Sequence, residues 1–182
     1  MNDRRKLLVA FGAIALAAPL ASLAQQKGKV WRIGFFYFGS RQSSLDTGRY
    51  DAFLRGMRDL GYIEGKNFVV EARFADGKTE VLPGLAADLI RENVDVIVAT
   101  GTPVNRVLHK TTLTLPIVSA VSSDPVGDGF AASLARPGGN ITGLTDFGPE
   151  LDQKQVELLA ACVPKLSRLA VLLNPSNPGH PG

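Results

Sequence analysis

The chain has 182 residues, 45% of them hydrophobic and 20% charged, with a formal net charge of +3. That is an ordinary globular balance, with apolar material for one sizeable core but not for two complete domains. Beyond the N-terminal "NDRRK" the basic residues are interleaved with acids instead of forming a stripe, which argues against nucleic acid as a partner.

The first segment, residues 1–24, stands apart from the rest. Arg4, Arg5 and Lys6 precede an apolar run from Leu7 to Ala18, Pro19 breaks it, and Ser22 and Ala24 are small residues spaced for cleavage before Gln25. This is the layout of a secretory signal peptide; the adjacent Arg4 and Arg5 resemble a twin-arginine signal without its usual flanking serine and phenylalanine, so Sec export is the expectation and the twin-arginine route the alternative. A membrane anchor is the competing reading, but the run is short of the roughly 18–20 apolar residues that span a bilayer. Export with cleavage near Ala24, to the periplasm, is the expectation. Cys162 is the one cysteine, far from that cleavage site, so neither an internal disulfide nor a lipidated mature N-terminus is expected. Its place in an apolar helical pattern predicts a small buried apolar side chain.

The mature chain alternates strand and helix. Residues 30–38, "VWRIGFFYF", form a continuous apolar run that reads as a buried strand, and residues 46–62, with Tyr50, Phe53, Leu54, Met57 and Leu60 at helical spacing, read as a helix stopped by Gly61. A strand at 67–75 follows. The next helix carries Val81, Leu82, Leu85, Leu89 and Ile90 and starts near Thr79, so that Pro83 falls in its first turn. The pattern continues with a strand at 94–100, a helix at 103–111, a strand at 115–121, a short helix at 128–135, a strand at 140–145, a helix at 150–163 and a strand at 168–174. Strands buried on both faces and joined through helices imply right-handed crossovers, and so an α/β fold with a doubly wound parallel sheet.

In such sheets ligands lie beyond the C-terminal ends of the strands, which directs attention to the strand-to-helix turns. Four are rich in Ser, Thr, Asn, Gly and aromatics: "FFYFGSRQSSLD", "ATGTPVN", "VSSDPVGDG" and "LNPSNPGHPG". In the second, Gly101 allows close approach of a guest, Thr100 and Thr102 offer hydroxyls, and Pro103 presets the helix so that free amides face outward, where an anion is stabilised. Thr102 as a plain N-cap explains the same residues without a ligand. Ser122 and Ser123 could donate to a guest or cap the next helix, and Asp124 before Pro125 signals a turn.

Chemistry beyond binding has little to stand on. Asp124 and Asp128 lack further ligands at metal spacing, so no metal or other cofactor is expected. There is no G-x-S-x-G elbow, no Walker A motif and no G-x-G-x-x-G fingerprint, and no nucleophile sits beside a general base, so an enzyme is not expected. A secreted enzyme on a similar scaffold and a ligand-sensing domain of a signalling receptor are the competing readings.

Several phrases in order, "RIGFF", "GRYDAFLRGMRDLGYIEGKNFVVEARFADGK", "LAADLIRENVDVIVATGTP", "LPIVSAVSSDPVGDGFAASLARPGGNITGLT" and "KLSRLAVLLNPSNP", resemble the solute-binding proteins of a bacterial ABC uptake family whose better-studied members bind aromatic amino acids. The resemblance implies a type I periplasmic binding fold: a first α/β lobe over residues 25–137, and a crossover at the 137–140 turn "PGGN" with a partial second lobe over 138–182. It implies a small organic solute, an amino acid or another carboxylate, held between the lobes, with the permease and ATPase subunits of an ABC complex as partners. The contacts it implies are Thr100, Gly101 and Thr102 for an anion, Ser122, Ser123 and Asp124 on the floor, Tyr37 or Phe38 stacking on the guest, and Asn174, Ser176 and Asn177 from the second lobe. Asp124 is a further candidate for a ligand ammonium. This sequence has "FGSRQ" after the first strand, with a cation at Arg41, and ligand-contact loops vary among such proteins, so that specificity is not carried over. A full second lobe would need several more elements than these residues supply. A truncated, nonfunctional product is therefore a third reading, with apolar faces at Ile141, Leu144, Leu158, Leu159, Val171 and Leu172 left uncovered.

Overall fold

The computed structural model describes residues 29–146, 149–163 and 165–171. Strands β1 (Trp31–Tyr37), β2 (Phe68–Phe74), β3 (Val96–Thr100), β4 (Ile117–Val121) and β5 (Ile141–Gly143) form one sheet in the order β2-β1-β3-β4-β5. All four pairings are parallel. Helices α1 (Arg41–Asp46) and α2 (Arg49–Asp59) lie between β1 and β2, α3 (Leu82–Arg91) between β2 and β3, α4 (Thr102–Thr111) between β3 and β4, and α5 (Pro149–Cys162) comes after β5. The doubly wound α/β architecture expected from the buried apolar runs is therefore present.

Side-chain alternation along β1 assigns the two faces. Phe35 meets Tyr50 edge to face at 5.0 Å and Phe53 at 5.5 Å, both from α2. Phe36 points the other way, into a cluster with Leu82, Ala86 and Leu89 of α3, Val104 and Leu108 of α4, and Ile97 and Ile117 of the sheet. Gly34 lets α3 lie close. A Cβ there would stand 3.1 Å from Ile97 Cγ1 and 3.3 Å from Leu89 Cδ2. Pro83 sits in the first turn of α3, preceded by a 3-10 turn over Thr79–Val81, where the sequence placed the helix start.

Several local expectations are corrected. The helix expected over 46–62 is interrupted at Thr47 and Gly48, and an additional short helix, α1, precedes the break because Ser40 caps it: Ser40 Oγ accepts from Ser43 N at 3.0 Å. No helix forms over 128–135. Asp124 Oδ1 accepts from Gly127 N at 2.7 Å, Gly129 has φ +76°, and the Phe130 and Ala131 amides both turn back to Pro125 O at 2.9 Å, so turn chemistry outcompetes helical propensity. The strand expected over 168–174 is absent from its described part, 168–171. Cys162 is exposed, since α5 has no packed face among the described residues to take it.

The "PGGN" turn runs into β5 at the sheet edge. Asn140 holds it there, its Nδ2 donating to Leu115 O at 2.8 Å and Thr112 O at 3.2 Å while its carbonyl accepts from Ile117 N at 2.8 Å. Ile141 is thereby buried at 4% exposure, contrary to the expectation that it would be uncovered, whereas Leu144, Leu158, Leu159 and Val171 are exposed. Leu172 lies outside the described residues.

Candidate functional site

The C-terminal ends of the strands meet in one rank. Phe74 of β2, Tyr37 of β1, Thr100 of β3 and Val121 of β4 are successive register partners across the sheet. The first three candidate turns leave from this rank, so the topology gathers Tyr37, Phe38, Thr100, Gly101, Thr102, Ser122, Ser123 and Asp124 along a single edge. Asn174, Ser176 and Asn177 lie outside the described residues.

Gly101 is the N-cap of α4, with φ +105° and ψ 141°. That conformation is essentially restricted to glycine, and it lets the chain leave β3 and enter the helix at once. The Gly101 amide donates to Val121 O at 3.3 Å, tying the turn to β4, while Phe38 packs beside it. Thr102 is the first helical residue and makes no side-chain cap bond, so the plain N-cap explanation does not apply. The expectation of several free amides is also corrected. Pro103 has no N–H, and the Val104 and Asn105 amides both return to Gly101 O, at 3.1 and 3.2 Å. What remains for a guest among the described residues is the Thr102 N–H, the buried Thr100 and Thr102 hydroxyls, and the positive end of the helix dipole.

Asn105 was not singled out in the sequence, yet it organises this edge. It is fully buried, and its Nδ2 donates to Ser119 Oγ at 2.7 Å and to Val121 O at 3.3 Å. Those bonds straddle an irregularity in the sheet: Ala99 faces Ser119 but Thr100 faces Val121, so β4 carries one extra residue just before its end. The bulge re-aims the chain into Ser122–Asp124. Neither Asn105 Oδ1 nor the buried Ser122 Oγ has a hydrogen-bond partner among the described residues. The signal available in the sequence was a polar residue on the apolar face of a helix, three residues before Leu108.

The floor residues are pinned by local bonds. Asp124 closes its turn on Gly127, and Asp128 Oδ1 accepts from Arg106 Nη2 at 2.6 Å, fastening the turn to α4. Ser122 O and Ser123 O accept from Asp146 N at 3.3 Å and Thr145 Oγ1 at 3.2 Å, which ties the exit of β4 to that of β5. Behind them the 125–137 segment folds over β4 and β5, with Phe130 against His109 at 5.6 Å, and encloses a concavity of about 260 Å³ lined by Ser119, Ser122, Phe130, Ile141 and Thr145. Of the predicted residues only Ser122 borders this concavity. The edge rank and the concavity are therefore neighbours rather than one site.

At the other end of the rank, Tyr37 is buried beneath the β1–α1 turn. Arg49 Nη1 donates to its hydroxyl at 3.1 Å. Burial alone would push the Tyr37 phenol up, but hydrogen bonds with Ser43 and Arg49 and the Arg49 charge outweigh it and hold it below the ordinary tyrosine value.

A sequence model described as "ABC transporter substrate binding protein" matches residues 41–179. The chain belongs to the ABC transporter substrate-binding protein family. It is 30% identical over 133 residues to a tyrosine-binding protein of Clostridioides difficile (strain R20291), an alignment covering 73% of this chain and 38% of that protein. Among solved structures, it resembles an ABC domain in complex with L-Trp from Streptococcus pneumonia (TM-score 0.64, 30% identity, 73% of this chain and 43% of that one). A conserved domain protein from Vibrio cholerae is similar as well (TM-score 0.66, 33% identity, 75% and 45%). The chain thus spans less than half the length of these relatives. Substrate-binding proteins of this family are binders of small molecules, not enzymes, and work with a membrane ABC transporter.

Proposed function

We propose that this chain is the first-lobe part of an exported solute-binding component of an ABC uptake system. It captures a small organic solute, an amino acid or another carboxylate, and hands it to a permease driven by an ATPase. The observation that carries this reading is the gathering of Tyr37, Phe38, Thr100, Gly101, Thr102 and Ser122–Asp124 on the C-terminal edge of one parallel sheet, where α/β folds bind ligands. The relatives named above, one a tyrosine-binding protein and one holding L-Trp, support it.

On this reading residues 25–137 are the first lobe, residues 138–182 carry the crossover, which runs from the 137–140 turn into β5, and a partial second lobe, and Asn174, Ser176 and Asn177 answer across the cleft. Residues 1–24 direct export and are removed, leaving a periplasmic protein without a lipid anchor. Thermal unfolding of the chain with each of a panel of amino acids and small carboxylates is the test, because a ligand that binds only the folded state raises the midpoint. A concentration-dependent rise with one class of compound is expected. No rise with any of them overturns the proposal.

A further inference from the structure

Three arginines of the described chain are paired with carboxylates: Arg32 with Glu71 and Glu92, Arg91 with Asp88, and Arg106 with Asp128. Arg41 and Arg49 are exposed and make no such ion pair among the described residues, yet each rests on an aromatic ring. Arg49 donates to the buried Tyr37 hydroxyl and lies 6.0 Å from its ring centre, and Arg41 stands 5.1 Å over the ring of Phe74. Both rings belong to the edge rank, as direct register partners. An ordinary solvated arginine needs no such supports; two on adjacent aromatic rings form a cationic wall at one end of the candidate site.

The local packing holds that wall in place. A Cβ at Gly39 would fall 2.7 Å from both Ser43 Oγ and Tyr37 Cε1, so the β1–α1 turn lies flush on the tyrosine. Tyr37 takes up only one of the five guanidinium N–H groups of Arg49, leaving the rest of the fork for a planar oxyanion. Spacing adds a constraint. Tyr37 pairs with Thr100 on its other side, so the strand whose ring carries Arg49 lies next to the strand that runs into α4, about 4.8 Å away, and the strand carrying Phe74 lies one further out. Two anion-favouring points at the ends of neighbouring strands suit the two carboxylates of one solute.

Resting on the function proposed above, we infer that the solute carries a second carboxylate, received by Arg49 with Arg41 beside it while its first carboxylate faces Thr100–Thr102. The solute class is a short dicarboxylic acid or an acidic amino acid. Isothermal titration of the full chain compares L-glutamate with L-glutamine, its isostere with a neutral side chain, and glutarate with pentanoate, with L-tyrosine and L-tryptophan alongside. The member of each pair with two carboxylates is expected to bind about tenfold tighter or more, and Arg49→Gln to erase that preference. Arg41→Gln, at an exposed side chain, is expected to reduce it, so that a folding defect in the first variant does not decide the matter. Equal binding of glutamate and glutamine, or a preference that survives both substitutions, overturns the inference. Tight binding of L-tyrosine or L-tryptophan without an acidic preference overturns it while leaving the transport reading intact, and no binding by any probe overturns both.

Discussion

The sheet from β1 to β4 and the segment after β5 differ in what holds them. In the first, Phe36, Leu82, Ala86, Leu89, Ile97, Val104, Leu108 and Ile117 bury one another between α3, α4 and the strands. In the second, every described side chain of α5 is exposed, and Leu144 and Val171 are 71% and 67% exposed. Helical periodicity existed in both stretches, but an apolar face stabilises a fold only where another surface covers it. The first region therefore contains its own stability, and the second depends on surfaces that the described residues do not supply.

The largest expected effect sharpens that contrast. Leu108→Ala, in the shared core, should cost about 2–5 kcal/mol in urea unfolding, whereas Leu158→Ala in α5 should fall within about 0.5 kcal/mol. Equal losses at the two positions would break the comparison. Next comes the turn into α4. Gly101→Ala places a Cβ at φ +105° and should cost roughly 1–3 kcal/mol, with loss of any ligand-induced rise in melting midpoint.

Asn105→Leu tests the bulge at the end of β4. It removes the bonds to Ser119 and Val121 while keeping the shape, leaving Ser119 Oγ buried without its donor, and a loss of about 1–3 kcal/mol is expected. A smaller loss after Ser119→Ala is combined with it than the two single losses added together would mark the two as one coupled unit. The smallest effect lies at the opposite end of β1. Hydrogen bonds from Lys29 Nζ and the Arg32 amide hold the Asp95 carboxyl below the usual carboxylate range. A folded-state value below the unfolded one contributes stability that is complete above the unfolded pKa and is lost as pH falls through the folded one. Asp95→Asn should therefore show a shallower decline in stability under acid than the parent chain, with its own loss of stability greatest at neutral and alkaline pH.

Much of this architecture was legible because parallel strands buried on both faces leave uninterrupted apolar runs, as "RIGFFY" and "VIVAT" do, and because Pro83 and Pro103 mark helix starts. The 128–135 stretch was misread since its alanines favour helix while Asp124, Gly127 and Gly129 close turns first, an outcome set by hydrogen bonds rather than by propensity. Cys162 was assigned to a core because its neighbours are apolar, but no partner surface among the described residues covers α5. At the site, the turn residues could be read off from glycine, proline and hydroxyl chemistry. Asn105 could not, since its role depends on a register shift in β4, and the Arg49–Tyr37 contact joins residues on different elements. Asn105 left only a polar residue on an apolar helix face as its local sign, and the Arg49–Tyr37 contact left none.

The most direct test is amide hydrogen exchange along the chain, with and without saturating L-glutamate and, separately, L-tyrosine. Slowed exchange is predicted at Phe38–Gly39, Gly101–Thr102 and Ser122–Ser123, with the amides at the opposite ends of the same strands unchanged. Protection confined to the concavity beneath the 125–137 segment, or none along the strand ends with either compound, would contradict the claim that the C-terminal edge of this sheet receives the solute.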